Sequence, residues 1–204
     1  MAAADERNTG RTEAFSDGVI AVAITLLVLD LRPPAGSLPS SFLAMWPNLL
    51  AFAISFASIL VIWVSHHGIF AYLRRIDPYV QYSNGLVLFI VVFIPFPTAL
   101  LAERLGREGG GFAADLYMWT YLAAALAGRL FLATVWKAQL ASEDTRHELK
   151  RVMRLSWLNV AACGVASVLV IWVPLVAPIA VALTTLLWVA ETFVGYRSSG
   201  RDPA

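Results

Sequence analysis

Apolar residues along the chain fall into six stretches, at about 12–31, 46–73, 79–101, 112–137, 153–173 and 175–196. Each is close to the roughly 20 mostly apolar residues that an α-helix needs to cross the hydrocarbon core of a bilayer. Prolines and charged residues separate the stretches; Pro33 and Pro34 follow the first one, and Pro174 and Pro178 mark the boundary between the last two. The pattern therefore predicts an all-α membrane protein with six transmembrane helices in a single domain, residues 1–204.

The composition agrees with a membrane protein and excludes several other classes. With 59% hydrophobic and 14% charged residues, the chain lies outside the range of soluble domains. A net charge of +1, without a basic cluster interleaved with aromatic residues, gives no support for nucleic-acid binding. Cys163 is the single cysteine, so an intramolecular disulfide or a cysteine-rich metal site cannot form. The N-terminal residues lack the apolar core of a signal peptide, and we expect the first helix to be retained.

Positive residues are distributed unevenly between the connections. The two terminal segments and the second-to-third and fourth-to-fifth connections contain eleven Lys and Arg residues, against three in the other connections. Because positive residues are retained on the cytoplasmic side, we expect both termini to be cytoplasmic. The polar residues Arg11, Glu13, Ser16 and Asp17 then lie at the cytoplasmic end of the first helix. An aspartate at the bilayer centre costs about 2.5–3.5 kcal/mol, so these groups either lie outside the hydrocarbon or face a protein or water interior.

The rest of the first helix has a stripe of small, apolar and hydroxyl residues. Gly18, Val22, Thr25 and Leu29 recur at intervals of four and three, and Leu26 lies at the edge of the stripe. Such a stripe can pack against a neighbouring helix, or it can form the wall of a pore in which apolar rings gate or select ions. Periodicity alone does not separate these two interpretations.

Residue types suited to catalysis occur without the spacing that catalysis needs. Ser16 precedes Asp17 within a helix and does not stand in a nucleophile elbow. His66 and His67 are adjacent, so their side chains diverge by about 100° and cannot form the i, i+4 pair of a helical zinc site. The chain also has no phosphate-binding loop of the Walker type. We expect a protein that is not an enzyme and that holds no metal ion or cofactor.

Further polar residues lie within the apolar stretches. Trp63 and His66 share one face of the second helix, and a lone membrane histidine is either a hydrogen-bonded structural residue or a pH sensor or proton relay. We expect Asn84 and Asn159 to form hydrogen bonds between helices. Arg129 in the fourth helix needs an acidic partner or a route to the interface, and the sequence does not identify its partner.

The opening motif resembles the signature of a known family. R-x-x-x-F-S-D-G followed by A-I-T-L-L-V-L-D-L is similar to the first helix of the bacterial and archaeal homologues of the lysosomal potassium channel, transmembrane protein 175. The motif residues are Arg11, Phe15, Ser16, Asp17 and Gly18, followed by residues 23–31. The match continues with W-x-x-H-H at Trp63, His66 and His67, with Asn84, and with P-F-P-T at residues 95–98.

The resemblance implies a six-helix protomer that assembles as a homotetramer in a prokaryotic plasma membrane, with helix one of each protomer lining a central pore. It implies passive conduction of K⁺ as the permeant ion, without a cofactor or a small-molecule substrate. The constriction positions carried over from the motif are Val22, Thr25 and Leu29, where Val22 is smaller than the Ile or Leu usual in the family. The family also implies a hydrogen-bond network that joins Ser16 and Asp17 of helix one to helices two and three. The residues it joins there are Trp63, His66 and Asn84.

Two other functional classes remain open from the sequence. A secondary transporter or a proton-permeable pathway could use Asp17 and His66, although the absence of an internal repeat counts against coupled transport. In a non-conducting structural protein, the stripe on helix one would serve only as an interface. The symmetry of the assembly and the direction that helix one faces would discriminate between these classes.

Overall fold

The computed structural model describes residues 2–33, 38, 40–70, 73, 76–137 and 143–198. Its side chains are described between residues 9 and 189, except for residue 40 and residues 143–148 in these ranges. Arg74 and Arg75, which contribute to the predicted orientation, lie outside the described residues, as do the side chains of Arg7, Arg146 and Arg197. The predicted cytoplasmic termini therefore stay a prediction.

All regular structure in the described residues is helical. The helices are α1 Ala2–Leu26, continued by a 3₁₀ turn Leu27–Asp30, α2 Ser40–Leu43, α3 Trp46–Phe70, α4 Pro78–Phe93, α5 Pro95–Arg104, α6 Gly110–Lys137, α7 Glu143–Leu169 and α8 Val176–Ser198. Five helical spans in the described part of the chain are long and apolar enough to cross a membrane, and a sixth apolar segment, Val176–Val189, is shorter. An all-helical membrane protein is what the apolar pattern predicts.

Helix ends differ from the sequence prediction for identifiable reasons. The predicted third helix divides at Ile94, because Pro95 and Pro97 have no backbone N–H to donate into the preceding turn. The first and fifth predicted helices begin about ten residues earlier, at Ala2 and Glu143. Both extensions are polar, and a prediction based on apolar residues ends where the bilayer would end.

The bundle is built around α6. This helix packs against α4, α5, α7 and α8, and its side chains Tyr117, Met118, Phe131 and Leu132 are buried. In contrast, α1 packs against α3 and α4 at one edge of the bundle. An edge position leaves one side of α1 without a partner in the protomer.

The start of α4 depends on a capping residue. Asp77 has an extended backbone, its side chain accepts a hydrogen bond of 2.7 Å from the backbone N–H of Val80, and Pro78 occupies the first helical position. We expect Asp77→Ala to lower the thermal unfolding midpoint by roughly 2–4 °C, because loss of an N-cap costs about 1 kcal/mol. Asp77→Asn preserves the cap and should leave the midpoint within error of the wild type. Equal loss in both variants would contradict a capping role.

Candidate functional site

One side of α1 is exposed on the surface of the protomer. Val22 is 58% exposed, Leu29 is 71% exposed, and Leu26 beside them is 39% exposed. This exposed stripe consists of Arg11, Phe15, Gly18, Val22, Thr25 and Leu29. From Arg11 to Thr25 its members recur every four and three residues, so they lie along one side of the helix, and Leu29 lies in the 3₁₀ turn that follows. The stripe does not pack against another described helix of the same protomer.

The opposite side of α1 is buried against α3 and α4. Ser16, Ile20, Ala23 and Leu27 have at most 2% of their surface exposed, and they follow the same helical spacing. The hydroxyl of Ser16 is the polar group on this otherwise apolar buried side. An unpaired polar group in an apolar interior is costly. The hydrogen bonds of the Ser16 hydroxyl therefore restrict the rotation of α1 about its axis.

A directional chain of hydrogen bonds begins at Ser16. Its Oγ donates to the carbonyl of Thr12 at 2.8 Å and accepts from Nδ2 of Asn84 at 2.9 Å. The Oδ1 of Asn84 lies 2.7 Å from Nε2 of His66. Since an amide oxygen only accepts, Nε2 of His66 must be the donor. Three buried side chains on α1, α4 and α3 are thus joined in one direction, from imidazole to amide to hydroxyl.

A second contact joins α1 to α3 beside this chain. The indole Nε1 of Trp63 donates to Oδ1 of Asp17 at 2.8 Å, and Nδ1 of His67 lies 2.9 Å from Oε1 of Glu13. His67 also stacks on Trp63, with ring centroids 5.8 Å apart. We call Ser16, Asp17, Trp63, His66 and Asn84 the anchor network, because they fix α1 to its two neighbours.

Three potential metal ligands meet at this end of α1. The ligand atoms of Glu13, Asp17 and His67 lie within 4.8 Å of one another. The carboxylates are already paired, Asp17 with the N–H of Trp63 and Glu13 with His67, so the geometry is explained by the side chains themselves. The spacing of the adjacent His66 and His67 does not predict the pairing of His67 with Glu13, although Glu13 precedes Asp17 by four residues on the helix.

The hydroxyl of Thr25 has a defined orientation on the exposed stripe. Its Oγ1 donates to the carbonyl of Val22 at 2.8 Å. The proton is therefore directed into the helix backbone, and the oxygen lone pairs of Thr25 remain available on the exposed side. Such an oxygen can interact with a cation, while the neighbouring Val22 and Leu29 offer only apolar surface.

Other polar residues expected to pair between helices differ in their contacts. Asn84 forms interhelical hydrogen bonds as expected, whereas Oδ1 of Asn159 lies 3.7 Å from Sγ of Cys163 on its own helix. The guanidinium of Arg129 lies 5.0 Å from the ring centroid of Trp157 on α7. Among the described side chains no carboxylate lies within ion-pair distance of Arg129.

Similarity to known proteins identifies the family of this chain. Residues 11–95 match the family described as the endosomal/lysosomal potassium channel TMEM175. A relative named as a potassium channel from Chamaesiphon minutus is 47% identical over 160 residues, which is 74% of this chain and 79% of the relative. The chain belongs to the TMEM175 family.

Solved structures of TMEM175 proteins have the same fold. The crystal structure of a lysosomal potassium-selective channel TMEM175 homolog from Chamaesiphon minutus aligns with a TM-score of 0.81 at 39% identity, over 90% of this chain and 97% of that one. A variant of the potassium channel MtTMEM175, crystallised with a nanobody fusion, aligns with a TM-score of 0.63 at 23% identity over 94% of each chain. The alignments therefore extend beyond the matched residues 11–95 into the second half of the helical bundle.

The matched part of this TMEM175 chain contains the whole anchor network and the exposed stripe. The stripe lies on α1 and the 3₁₀ turn after it, and the anchor network joins α1, α3 and α4, all within residues 11–95. The function of the individual stripe residues stays a prediction, since likeness of sequence and fold does not show which side of α1 faces a pore.

The anchor network of this TMEM175 chain can be tested by replacing Asn84. Asn84→Leu removes both of its interhelical bonds and leaves His66 Nε2–H and a lone pair of Ser16 buried without partners. At about 1–3 kcal/mol for each orphaned group, we expect a clear fall in the thermal unfolding midpoint in detergent. The matched control is Asn159→Leu, whose described contact lies within one helix and whose effect should be smaller. A larger loss at Asn159 would contradict the role of Asn84.

Proposed function

We propose that this chain is a subunit of a potassium-permeable cation channel in a prokaryotic plasma membrane. Four copies would surround a central pore lined by α1, and K⁺ would pass down its electrochemical gradient without a cofactor, resident metal or catalytic cycle. The relatives named above are potassium channels, and the membership of this chain in their family supports the proposal. The observation that carries it is the exposed stripe on α1, an ordered row of apolar and hydroxyl side chains that no described helix of the protomer covers.

Anchoring and permeation would be assigned to opposite sides of the same helix. The anchor network binds the buried side of α1 through side chains of α3 and α4, at distances of 2.7–2.9 Å. Its polar groups form their hydrogen bonds with other protein groups, so neither a lipid headgroup nor a permeating ion is needed to satisfy them. The exposed side is thereby held at a fixed rotation about the helix axis. A ring of four such helices would present the same residues at each level of the pore.

Permeation would depend on partial dehydration of K⁺ at apolar rings. Val22 and Leu29 would form narrow levels with no groups that replace hydration water, and the oxygen lone pairs of Thr25 would lie between them. A hydrophobic constriction can gate by dewetting, and oxygen ligands favour an ion that loses its water more easily. Because Val22 has one methylene fewer than Ile or Leu, its ring would be wider than is usual in the family.

Direct measurement of flux tests the proposal. Protein in liposomes under a K⁺ gradient should give K⁺ flux well above that of protein-free vesicles, with a reversal potential that follows the K⁺ gradient. Absence of flux across a range of pH and voltage would overturn the channel assignment. Saturable flux that requires a proton gradient would instead support the alternative, a secondary transporter or proton pathway that uses Asp17 and His66.

The pore role of the stripe has its own prediction. We expect Leu29→Ala to raise K⁺ flux and Thr25→Val to change the K⁺/Na⁺ permeability ratio, because one widens an apolar ring and the other removes an oxygen. Leu130 of α6 is exposed on the protomer at 48%, so Leu130→Ala is a control of the same chemistry. Permeation that is unchanged in both stripe variants, in protein of native oligomeric size, would show that α1 does not line the pathway.

Cross-linking can distinguish a central from a peripheral α1 without any transport assay. Cys163 is buried and is the single cysteine, so Cys163→Ser gives a background without thiols. In that background Val22→Cys should form disulfide-linked dimers on oxidation, since four thiols near one axis can pair only two at a time. Leu130→Cys should remain monomeric under the same conditions. The reverse result would place α1 at the periphery and favour a structural, non-conducting assembly.

A further inference from the structure

A half-open cavity of about 110 Å³ lies between α3, α4, α6, α7 and α8 of the protomer. No residue of α1 lines it, so it is separate from the exposed stripe and from the proposed pore. Its walls are mainly apolar, and its polar lining includes Ser65, His66, Tyr121, Arg129, Ser156 and Thr184. Several of these polar groups have no hydrogen-bond partner in the described part of the protein.

His66 exposes an acceptor towards the protomer interior. Because its Nε2 donates to Asn84, Nδ1 of the neutral ring carries a lone pair. Nδ1 is buried and has no hydrogen-bond partner among the described residues, and the ring is packed between Phe70 and Phe131, with centroids 4.8 and 5.5 Å away. A buried acceptor of this kind is satisfied by water where a polar cavity adjoins it. The cavity that His66 lines has room for such a water.

Arg129 brings a positive charge to the same cavity. It lies within the membrane-capable helix α6, eight residues before its end at Lys137. Its Nε is buried without a hydrogen-bond partner, and its described charge contact is the face of Trp157. A ring face is a weak substitute for a counter-charge, and a charged group at membrane depth is expected to be paired or to face water. A negative partner for Arg129 is thus missing from the described side chains.

Three other hydroxyls that line the cavity are not available to donate hydrogen bonds into it. Ser65, Ser156 and Thr184 donate to the carbonyls of Val61, Met153 and Ala180 of their own helices, at 2.8–2.9 Å. Their protons are used, and they present oxygen lone pairs to the cavity. Tyr121 differs, because its buried hydroxyl lies near the hydroxyls of Ser55, Ser58 and Tyr117 without forming a hydrogen bond of good geometry to any of them. Arg129, Tyr121 and the amide Nδ2 of Asn159, which also lines the cavity, are therefore donors without a described partner. Arg129 and Tyr121 are about 12 Å apart along α6 at 1.5 Å per residue.

We propose that the cavity binds one small monovalent anion, of the size of chloride, at the guanidinium of Arg129, with water molecules that hydrogen-bond to His66 and Tyr121. The volume suits this occupancy, because one water needs about 10–15 Å³ of such space and 110 Å³ accommodates several species of that size. The anion would neutralise the charge of Arg129, and the waters would bond to the lone pairs of the hydroxyls. The site is a structural anion site, independent of the permeation pathway.

Anomalous diffraction from crystals grown with bromide tests the site directly. The expected result is one bromide peak per protomer, in contact with the guanidinium of Arg129, in the wild type and in Arg154→Gln. Arg154 is an exposed arginine of α7 and serves as the matched control. In Arg129→Gln the peak should be absent. A cavity that contains only water, or a carboxylate of the protein paired with Arg129, would overturn the proposal.

Thermal unfolding distinguishes functional binding from occupancy at crystal concentrations. At constant K⁺ and ionic strength, replacing gluconate by chloride should raise the unfolding midpoint of the wild type saturably. The rise is about 4 °C at ten times the dissociation constant. Arg154→Gln should respond equally, and Arg129→Gln should not respond. Ala124→Leu fills the cavity while keeping Arg129, and it should also abolish the response, which covers the case in which Arg129→Gln does not fold. Identical responses in all four proteins, or none in the wild type, would overturn the proposal.

Discussion

The hydrogen bonds of Asn84 are the interaction on which the arrangement of the first half of the protein depends. Its amide donates to Ser16 and accepts from His66, so one side chain satisfies polar groups on two other helices. In an apolar interior a buried polar group cannot exchange its partner for water. Rotation of α1 about its axis would move Ser16 away from Asn84 and leave the buried amide N–H of Asn84 without an acceptor. Hydrogen bonding between polar side chains therefore fixes the rotation of α1 about its axis, which apolar packing alone would restrict only weakly.

This constraint explains why one side of α1 is buried and the opposite side is exposed. Ile20, Ala23 and Leu27 pack into the bundle on the side that Ser16 fixes, and Val22 and Thr25 are left on the other side. An apolar helix at the edge of a membrane bundle would otherwise have little preference for one rotation, because lipid is as apolar as leucine. The hydrogen bonding of Ser16 near the start of the helix thus determines where its apolar residues face.

Much of this site could be predicted from the sequence, and the limits have physical causes. Spacing placed Val22 and Thr25 on one side of a helix, and the family motif implied contacts of Ser16 and Asp17 with Trp63, His66 and Asn84. The pairing of Glu13 with His67 and the cavity depend on helices that approach one another in space, which periodicity within one helix does not encode. The polar extension of α7 was missed because a search for apolar spans ends where the bilayer would end.

Leu29 at the end of α1 is a single residue whose direction cannot be predicted from α-helical spacing. Spacing assigned Leu29 to the stripe on the assumption of 100° per residue, but residues 27–30 form a 3₁₀ turn, which advances about 120° per residue. Over the two or three residues before Leu29 the difference accumulates to roughly 40–60°. Val28 and Leu29 are 51% and 71% exposed, so this turn presents both side chains outward. In a pore built from α1, the apolar level at the end of the helix far from Asp17 would then be shared by Val28 and Leu29, and its width would depend on how tightly this turn is wound.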